Sequence, residues 1–269
     1  MKLHFDSNQE YQWDAIKSIT DIFEGQPLNS GDFEFTTSNA GALLSENGFG
    51  NNLTLSAEQV LENVKAIQKR NEITNSVEEL QGMNFSVEME TGTGKTYVYL
   101  RTVYELNKLY GFKKFVIVVP SVAIREGVLK NLQITHEHFQ SLYDKTSINF
   151  DIYDSKKVSN LRGFSSGNAI QVLVINIDSF AKDENIINKP NDKLTGKKPI
   201  EFIQSTKPIV IVDEPQNMET GIRKKAIQNL EPLCTLRYSA THTNLYNLMY
   251  SLNPVKAYDL GLVKQIEVD

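Results

Sequence analysis

Apolar residues near the start of the chain recur at helical spacing. From Glu10 onward every third or fourth position is apolar, at Trp13, Ile16, Ile19 and Phe23. The pattern stops at Gly25, with Pro27 beyond it, and both residue types are common just after a helix ends. We predict a first amphipathic helix over residues 10 to 23.

A second helix is predicted after a polar segment. Residues 25 to 55 are rich in Gly, Asn, Ser and Thr, a composition typical of loops, and we interpret them as an insertion. Ser56 and Gln59 then have the spacing of a capping box, in which each side chain bonds the other residue's backbone amide. The apolar face of the helix that follows is supplied by Val60, Val64 and Ile67.

From about residue 84 the pattern changes to short apolar segments separated by helical stretches. The segments are FSVEM at 85 to 89, FVIVV at 115 to 119, VLVIN at 172 to 176, PIVIVD at 208 to 213 and CTLRYSA at 234 to 240. Strands that are apolar at nearly every position are buried on both faces, and helices between them indicate parallel pairing. We therefore predict an N-terminal part, residues 1–83, and an α/β domain, residues 84–269, in which 182–199 is a solvated excursion.

Composition narrows the class of protein. A net charge of −5 and a pI near 5.5 argue against a protein that coats nucleic acid by charge alone. No apolar run approaches the roughly 20 residues of a membrane helix, and the start of the chain does not resemble a signal peptide. Because Cys234 is the single cysteine, no intrachain disulfide is possible. We expect a cytoplasmic protein without a membrane partner.

The segment METGTGKT, residues 89 to 96, has most of a phosphate-binding loop. Such a loop surrounds phosphates with backbone N–H groups at a helix N-terminus, while a Lys reaches the outer phosphates and a hydroxyl binds Mg2+. Met89 stands where the usual pattern begins with Gly, but Phe85, Val87 and Met89 alternate as in a strand, and residues 97 to 109 can continue as a helix. The predicted nucleotide-binding residues are Thr91, Gly92, Thr93, Gly94, Lys95 and Thr96.

A pair of carboxylates at the end of another predicted strand completes this site. Asp213 and Glu214 end and follow the run PIVIVD, and ligands gather at the carboxyl ends of strands in open α/β sheets. Thr96 and Asp213 can hold a metal ion, and Glu214 can polarise a water for attack on the γ-phosphate. With Lys95, these two carboxylates are the candidate catalytic residues, and ATP with Mg2+ is the expected cofactor.

Three segments in this order resemble a known family. TGTGKT, DEPQ at 213 to 216 and SATH at 239 to 242 resemble motifs I, II and III of the superfamily 2 helicases and translocases, in which the residue opening motif I is often not glycine. METGTGKT and the DEPQ form of motif II are similar to the restriction (Res) subunit of type III restriction-modification enzymes. Three further segments also resemble that family: YQWDAI at 11 to 16, VVPSVAIREGV at 118 to 128 and VINIDSF at 174 to 180. The resemblance implies an α/β fold, a RecA-like P-loop NTPase domain with a mostly parallel sheet and helices on both faces.

The resemblance also implies roles for further residues. Gln12 would read the adenine edge of the nucleotide, although it lies 83 residues before Lys95, a longer gap than in DEAD-box proteins. Nucleotide state would be coupled to movement by Gln216, Ser239, Thr241 and His242. The sugar-phosphate backbone of DNA would lie against Pro120, Ser121, Arg125 and Asn176.

The function implied is that of the ATP-binding motor lobe of a type III restriction endonuclease subunit, which couples ATP hydrolysis to movement along double-stranded DNA ahead of cleavage. Its protein partner would be a modification (methyltransferase) subunit. Two alternatives stay open: the first lobe of another superfamily 2 DNA or RNA helicase, and a non-enzymatic, nucleotide-gated scaffold. The intact set of Lys95, Thr96, Asp213 and Glu214 argues against the scaffold.

Some features of the family are missing from the sequence. Only 27 residues follow His242, and they contain neither a second RecA-like lobe with its arginine finger nor a nuclease cluster. We expect the chain to be the N-terminal piece of a longer protein and, on its own, to bind ATP but hydrolyse it slowly. His136 and His138 lack a third ligand and are expected at the surface, and the basic clusters at 156–157, 197–198 and 223–225 on solvated faces.

Overall fold

The computed structural model describes residues 5–28, 32–39, 42–74 and 76–263. Strands β1 (Asp32–Asn39) and β2 (Ala42–Phe49) form an antiparallel hairpin. The other strands form one parallel sheet: β3 (Asn84–Met89), β4 (Lys114–Val119), β5 (Ile148–Ile152), β6 (Ile170–Asn176), β7 (Ile209–Asp213), β8 (Cys234–Ser239) and β9 (Leu248–Leu252). Their order across the sheet is β5-β6-β4-β7-β8-β3-β9.

The helices alternate with these strands along the chain. They are α1 (Glu10–Thr20), α2 (Ala57–Arg70), α3 (Lys95–Tyr110), α4 (Val122–Leu142), α5 (Asn160–Ser166), α6 (Pro199–Gln204), α7 (Gly221–Gln228) and α8 (Pro254–Asp259). A 3-10 turn, Asp21–Phe23, extends α1 to the predicted end of the first helix. Ser56 and Gln59 form the predicted capping box at the start of α2. None of the helices described is both long and apolar enough to cross a membrane.

Alternate residues of the central strands face two hydrophobic clusters. One side of β4 contributes Phe115, Ile117 and Val119 to a cluster that includes the apolar faces of α1 to α4. The other side contributes Val116 and Val118 to a cluster with α5, α6 and α7. Because the sheet is buried on both sides, its strands are apolar at nearly every position. The predicted α/β, RecA-like fold with helices on both faces is confirmed.

The N-terminal part shares the first of these clusters with the sheet. Ile19 of α1 and Val64 of α2 are buried together with Phe85 of β3. α1 packs along α3 and against β9. Residues before and after the proposed boundary at residue 83 therefore contribute to one hydrophobic core.

Two segments differ from the prediction. Within residues 25–55, β1 and β2 pair from Asp32 with Phe49 to Asn39 with Ala42, so the prediction of a loop is wrong there. Polar and apolar residues alternate only in DFEF, at 32 to 35, and not in ALLSENGF, at 42 to 49, so the pattern does not indicate a hairpin. In the 182–199 excursion, two 3-10 turns each bury one apolar side chain completely, namely Ile187 and Leu194. That segment is anchored in the core instead of being wholly solvated.

The parallel strands bring the segments of interest to one edge of the sheet. The loop after β3, the carboxylates at the end of β7 and the serine that ends β8 all lie at carboxyl ends. So do Pro120, after β4, and Asn176, at the end of β6. The carboxyl edge of an open parallel sheet is where ligands bind in α/β folds.

Candidate nucleotide and nucleic-acid site

The phosphate-binding loop, residues 90–94, connects β3 to α3. Gly92 and Gly94 have φ angles of 83° and 91°, a backbone conformation that residues with a side chain rarely adopt. Thr93 is turned inward, because its amide and its hydroxyl both donate to the carbonyl oxygen of Glu90, at 3.3 and 2.6 Å. The loop is therefore wound on itself before α3 begins at Lys95. Ligand binding by Thr91 and Thr93 stays a prediction.

The first amides of α3 have no acceptor. No side chain caps this helix. Within the part of the chain that the structure describes, no protein group accepts a hydrogen bond from the amides of Gly94, Lys95 and Thr96, which we call the unpaired amides. Free N–H groups at the positive end of a helix dipole bind phosphate groups. The local backbone therefore fits a polyphosphate.

Lys95 and Glu214 form an ion pair beside this loop. The Lys95 Nζ atom lies 2.9 Å from Glu214 Oε1, and the two side chains are 11% and 26% exposed. β3 and β7 are separated by β8, so the pair reaches across the end of the intervening strand. Two of the three candidate catalytic residues are thus in direct contact.

Asp213, the third candidate, is more deeply buried and only 6% exposed. The hydroxyl of Tyr99, on α3, donates to Asp213 Oδ2 at 3.2 Å and also interacts with Thr96. Burial, followed by the charge of Glu214, raises the pKa of Asp213 to about 6. A carboxylate whose charge is disfavoured in this way is stabilised by a cation, so the pair of Asp213 and Thr96 fits a hard oxygen-binding ion such as Mg2+.

Glu214 is held as a charged group. Burial alone would raise the pKa of Glu214, but hydrogen bonds from Gln216 and Lys95 outweigh it, and the pKa lies below its ordinary value. The Nε2 atom of Gln216 donates to Glu214 Oε2 at 2.6 Å. The backbone of Glu214 is left-handed, with φ of 57°, and its amide donates to the carbonyl oxygen of Tyr238 at 3.0 Å. This turn directs the carboxylate toward Lys95 rather than into the sheet.

The predicted coupling residues connect three strands. Ser239 Oγ donates to Gln216 Oε1 at 2.8 Å and accepts from the Thr241 amide at 3.0 Å. The imidazole of His242 bonds the carbonyl oxygen of Val87, in β3, at 3.0 Å through Nε2. Gln216 and Ser239 therefore join the turn after β7 to the end of β8, and His242 joins the segment after β8 to the body of β3. Thr241 takes part through its backbone and has an exposed side chain.

Gln12 lies against the phosphate-binding loop despite its distance along the chain. Its Nε2 atom is 3.2 Å from the carbonyl oxygen of Thr93 and 3.3 Å from the hydroxyl oxygen of Tyr11. The Tyr11 hydroxyl donates to the same Thr93 oxygen at 3.1 Å. A Cβ atom on Gly94 would lie 2.6 Å from Gln12 Nε2, so this close approach needs the glycine. The structure thus brings Gln12 to the candidate nucleotide site.

The orientation of the Gln12 amide follows from its partners. A carbonyl oxygen can only accept, so the amide nitrogen must face Thr93. Its two hydrogens serve Thr93 and Tyr11, and no described residue bonds the amide oxygen Oε1. A free amide could both donate to and accept from the adenine edge that Gln12 is expected to read. In the structure both hydrogens of the amide nitrogen already have acceptors, and the amide oxygen alone is available to a ligand.

The four predicted DNA-contacting residues lie on neighbouring strand ends: Pro120, Ser121, Arg125 and Asn176. Val119 of β4 pairs with Asn176 of β6, which places Pro120 and Ser121 beside Asn176. Ser121 caps the N-terminus of α4. Arg125, one turn into α4, bonds the exposed Glu126 at 3.0 Å. The four residues share one part of the carboxyl edge, and their contact with DNA stays a prediction.

Sequence reasoning missed Tyr11, Tyr99 and Glu219. Tyr99 follows Lys95 by four residues, a spacing that places both on one side of a helix, so its role could have been found. The role of Glu219 could not be recognised in the sequence, because its partners lie in other elements of the fold. Its carboxylate binds Arg237 at 3.0 Å and Lys224 at 2.7 Å, and also accepts from Asn244 and Tyr246.

The chain is similar in sequence to known proteins of one family. The family model described as "Type III restriction enzyme, res subunit" matches residues 7–244. The EcoP15I Res subunit of Escherichia coli is 32% identical in an alignment 239 residues long, and the match covers 80% of this chain and 24% of that protein. The StyLTI Res subunit of Salmonella typhimurium is 31% identical in an alignment 221 residues long, and the match covers 69% of this chain and 22% of that protein. The chain therefore spans about a quarter of the length of these curated relatives.

Similar solved structures are more distant in sequence. A nuclease-deletion mutant of the Type ISP restriction-modification enzyme LlaGI, in complex with a DNA substrate mimic, is 15% identical, with a TM-score of 0.44, over 75% of this chain and 20% of that one. The UvsW helicase of bacteriophage T4 is 15% identical, with a TM-score of 0.37, over 65% of this chain and 51% of that one.

The family match includes each part of the site. Residues 7–244 contain Gln12, the phosphate-binding loop, the carboxylates at the end of β7 and the segment from Ser239 to His242. A relative from Escherichia phage P1, the EcoPI Res subunit, is also 31% identical over 80% of this chain. The chain belongs to the Res subunit family of type III restriction enzymes.

Proposed function

We propose that this chain is the ATP-binding motor lobe of a type III restriction endonuclease subunit, in which ATP hydrolysis drives movement along double-stranded DNA ahead of cleavage. The observation that carries the proposal is the placement of Lys95, Asp213 and Glu214 beside the unpaired amides. A positive helix end, an ammonium group and two carboxylates suit one ligand above others, a polyphosphate that carries a metal ion.

Lys95 changes its partner when the nucleotide binds. Without nucleotide, its ammonium group neutralises Glu214. A phosphate oxygen that also receives hydrogen bonds from the unpaired amides carries more negative charge and draws the ammonium group away. Glu214 is then released, still bonded to Gln216, and accepts a proton from the attacking water.

Asp213 and Thr96 would hold the Mg2+ ion. A metal held by these two residues would supply positive charge that stabilises the transferring phosphate group. Tyr99 is fully buried and fixes Asp213 through the hydrogen bond to Oδ2. This support from within α3 keeps the Asp213 carboxylate facing the loop without help from solvent.

Changes at Glu214 would reach DNA through neighbouring strand ends. Gln216 and Ser239 contact the Glu214 side chain, and His242 links the same region to β3. β4, which leads into Pro120 and Ser121, is the strand next to β7. We place the DNA backbone along those residues with Arg125 and Asn176. From the family, we also propose a modification (methyltransferase) subunit as the protein partner.

The test is nucleotide binding by the 269-residue chain. Calorimetric titration with Mg2+ and a slowly hydrolysed ATP analogue should show saturable binding, and Lys95→Ala should weaken it at least about tenfold, since a charged hydrogen bond is lost. Lys108→Ala is the matched control, because Lys108 is an exposed lysine on the same helix. Equal affinity of wild type and Lys95→Ala would contradict the site. Binding with turnover unaffected by Glu214→Gln would contradict the proposed chemistry.

A further inference from the structure

A buried arginine lies behind the base-reading side chain. Arg101, on α3, is 5% exposed, and among the described residues no carboxylate oxygen lies within 4.0 Å of its guanidinium nitrogens. Its nitrogens donate instead to the carbonyl oxygen of Ser7 at 2.6 Å and to the hydroxyl of Tyr143 at 3.0 Å. The centre of the guanidinium lies 3.9 Å from the centroid of the Trp13 ring.

These contacts hold the chain on both sides of Gln12. Ser7 precedes Gln12 by five residues, and Trp13 follows it directly. A buried guanidinium without a carboxylate must recover its lost hydration from neutral acceptors and from an aromatic face. Tyr143 and Tyr97 supply hydroxyl acceptors from the helical body, whereas Ser7 and Trp13 supply a carbonyl acceptor and the aromatic face only when the segment 7–13 is docked on α3. Docking of this segment therefore completes the set of partners of the buried Arg101.

Docking of this segment decides where the Gln12 amide lies. The Gln12 Nε2 atom is 3.2 Å from the Thr93 oxygen, close to the limit of a useful hydrogen bond. A movement of the segment by about 1 Å would break that bond. The far end of α1 is held separately, by the ion pair of Arg70 with Asp21 at 2.6 Å. Arg101 thus fixes the N-terminal end of α1, which carries Gln12, and Arg70 fixes the C-terminal end, which is far from the base.

We propose that Arg101 is a positioning residue for nucleobase selectivity: it holds Gln12 so that the amide oxygen accepts from the 6-amino group of adenine. Guanine carries an oxygen at position 6. That oxygen and the Gln12 amide oxygen can both only accept, so no hydrogen bond could form between them. The proposal rests on the proposed function, because base selectivity has meaning only if a nucleotide binds the loop. The phosphate half of the site, Lys95 and the unpaired amides, does not contact Arg101.

The test compares the dissociation constants of ATP, GTP and inorganic triphosphate, each with Mg2+. Wild type should prefer ATP over GTP by about tenfold, the value of one well-placed hydrogen bond. Arg101→Met should bring that ratio close to one and leave the affinity for inorganic triphosphate within about twofold of wild type. Arg101→Lys keeps the charge but cannot reach both acceptors, so an intermediate ratio is expected. Arg70→Met is the matched control and should keep the wild-type ratio.

A double variant separates positioning from a general structural role. If Arg101 acts through Gln12, Arg101→Met combined with Gln12→Ala should have the same ratio as Gln12→Ala alone. The proposal would be overturned if the two substitutions reduced the preference for ATP over GTP additively, or if Arg101→Met left that preference unchanged. Should Arg101→Met fail to fold, Trp13→Phe keeps an aromatic face but a weaker one, and a wild-type ratio there would also overturn it. Failure of the proposed function differs from all of these, because wild type would then bind neither ATP nor inorganic triphosphate.

Discussion

The carboxylate of Asp213 is buried, and burial makes its charged form less stable. Burial, then the neighbouring Glu214, raises the pKa of Asp213 from an ordinary 3.8 to about 6. Because the pKa is higher in the folded chain, the stability contributed by the protonated group is fully present below pH 3.8 and is lost as the pH rises through 6. At pH 7.5 this loss corresponds to about 3 kcal/mol.

Asp213→Asn, which keeps the shape without the charge, should therefore raise the thermal midpoint of the metal-free protein. The increase is expected in EDTA at pH 7.5 and should shrink toward pH 4, because both forms are then uncharged at this position. Differential scanning fluorimetry at the two pH values measures it. Asp259→Asn removes an exposed carboxylate and is the control. A lower midpoint of Asp213→Asn at pH 7.5 would mean that the charge stabilises the empty site.

Gln12 should recognise the 6-amino group of the base and no other atom of that edge. Both hydrogens of its amide are used by Thr93 and Tyr11, so only the amide oxygen can meet the nucleotide. We expect 7-deaza-ATP, which lacks the N7 acceptor, to bind within about twofold of ATP. ITP, with an oxygen at position 6, should bind about tenfold more weakly. Weak binding of 7-deaza-ATP would show that the amide turns over and donates to N7.

The start of α3 depends on two glycines in different ways. Both have positive φ, which costs an alanine about 1 kcal/mol. At Gly92 a Cβ would meet no other atom within 4 Å, whereas at Gly94 it would lie 2.6 Å from Gln12 Nε2. Gly94→Ala should therefore reduce stability more than Gly92→Ala and should also reduce the preference for ATP over GTP. Thermal unfolding and nucleotide titration of the two variants test this, and equal effects would argue against a close Gln12 contact.

Glu219 joins the turn after β7 to β8 and to the segment that follows it. Arg237, its partner in β8, is 4% exposed. Glu219→Ala would leave that guanidinium buried without a counter-charge, at a cost of about 3 kcal/mol. Lys224→Ala removes a partly exposed partner of the same carboxylate and should cost less than about 1 kcal/mol. Urea unfolding measures both, and similar losses would mean that Arg237 finds another acceptor or water.

The sequence was informative where burial is uniform along an element. β4 and β7 are buried at every position, so their apolar runs identified them and their parallel pairing. β5 and β9 are the two edge strands of this sheet. The residues of β5 alternate between half-buried and exposed, and β9 includes the half-buried Leu248 and Ser251, so neither has a continuous buried apolar run. The hairpin of β1 and β2 was not indicated, because polar and apolar residues do not alternate along β2. The order of apolar and polar residues reflects how deeply each residue of an element is buried, and at the edge of the sheet buried and exposed residues lie in the same strand.

The candidate site divides in the same way. Lys95, Asp213 and Glu214 could be predicted, because each lies in a short segment whose chemistry is visible on its own. Arg101 and Glu219 could not, because their roles depend on partners that only the folded chain brings near.

At the scale of the whole molecule, five arginines of the described chain bond residues outside the candidate nucleotide site. Among the described residues, the arginines whose partners are known bond elsewhere: Arg70 to Asp21, Arg101 to Ser7, Arg125 to Glu126, Arg223 to Asp178 and Arg237 to Glu219. An arginine at the transferring phosphate accelerates hydrolysis by about 10³ to 10⁵. We therefore expect ATP binding with slow turnover.

Steady-state ATPase assays with and without duplex DNA measure this expectation. A longer Res subunit, assayed in parallel, should turn over faster by orders of magnitude. Turnover by this chain at the rate of the longer protein would mean that one of its own arginines, or one from a second copy, reaches the phosphate. Assays across a range of chain concentrations would separate those two sources, since only the second depends on concentration.

The strand order has a consequence for how the protein comes into being. β3, which leads into the phosphate-binding loop, pairs only with β8 and β9 in the described sheet, and its first pair joins Asn84 to Thr235. At a ribosome that adds about 5 to 20 residues per second, roughly 8 to 30 s pass between the synthesis of these two residues. During that interval the sequence of the loop exists without the strands that shape it. The candidate nucleotide site can therefore take its final shape only after β8 has been synthesised, and an interrupted translation product that ends before β8 should not bind ATP.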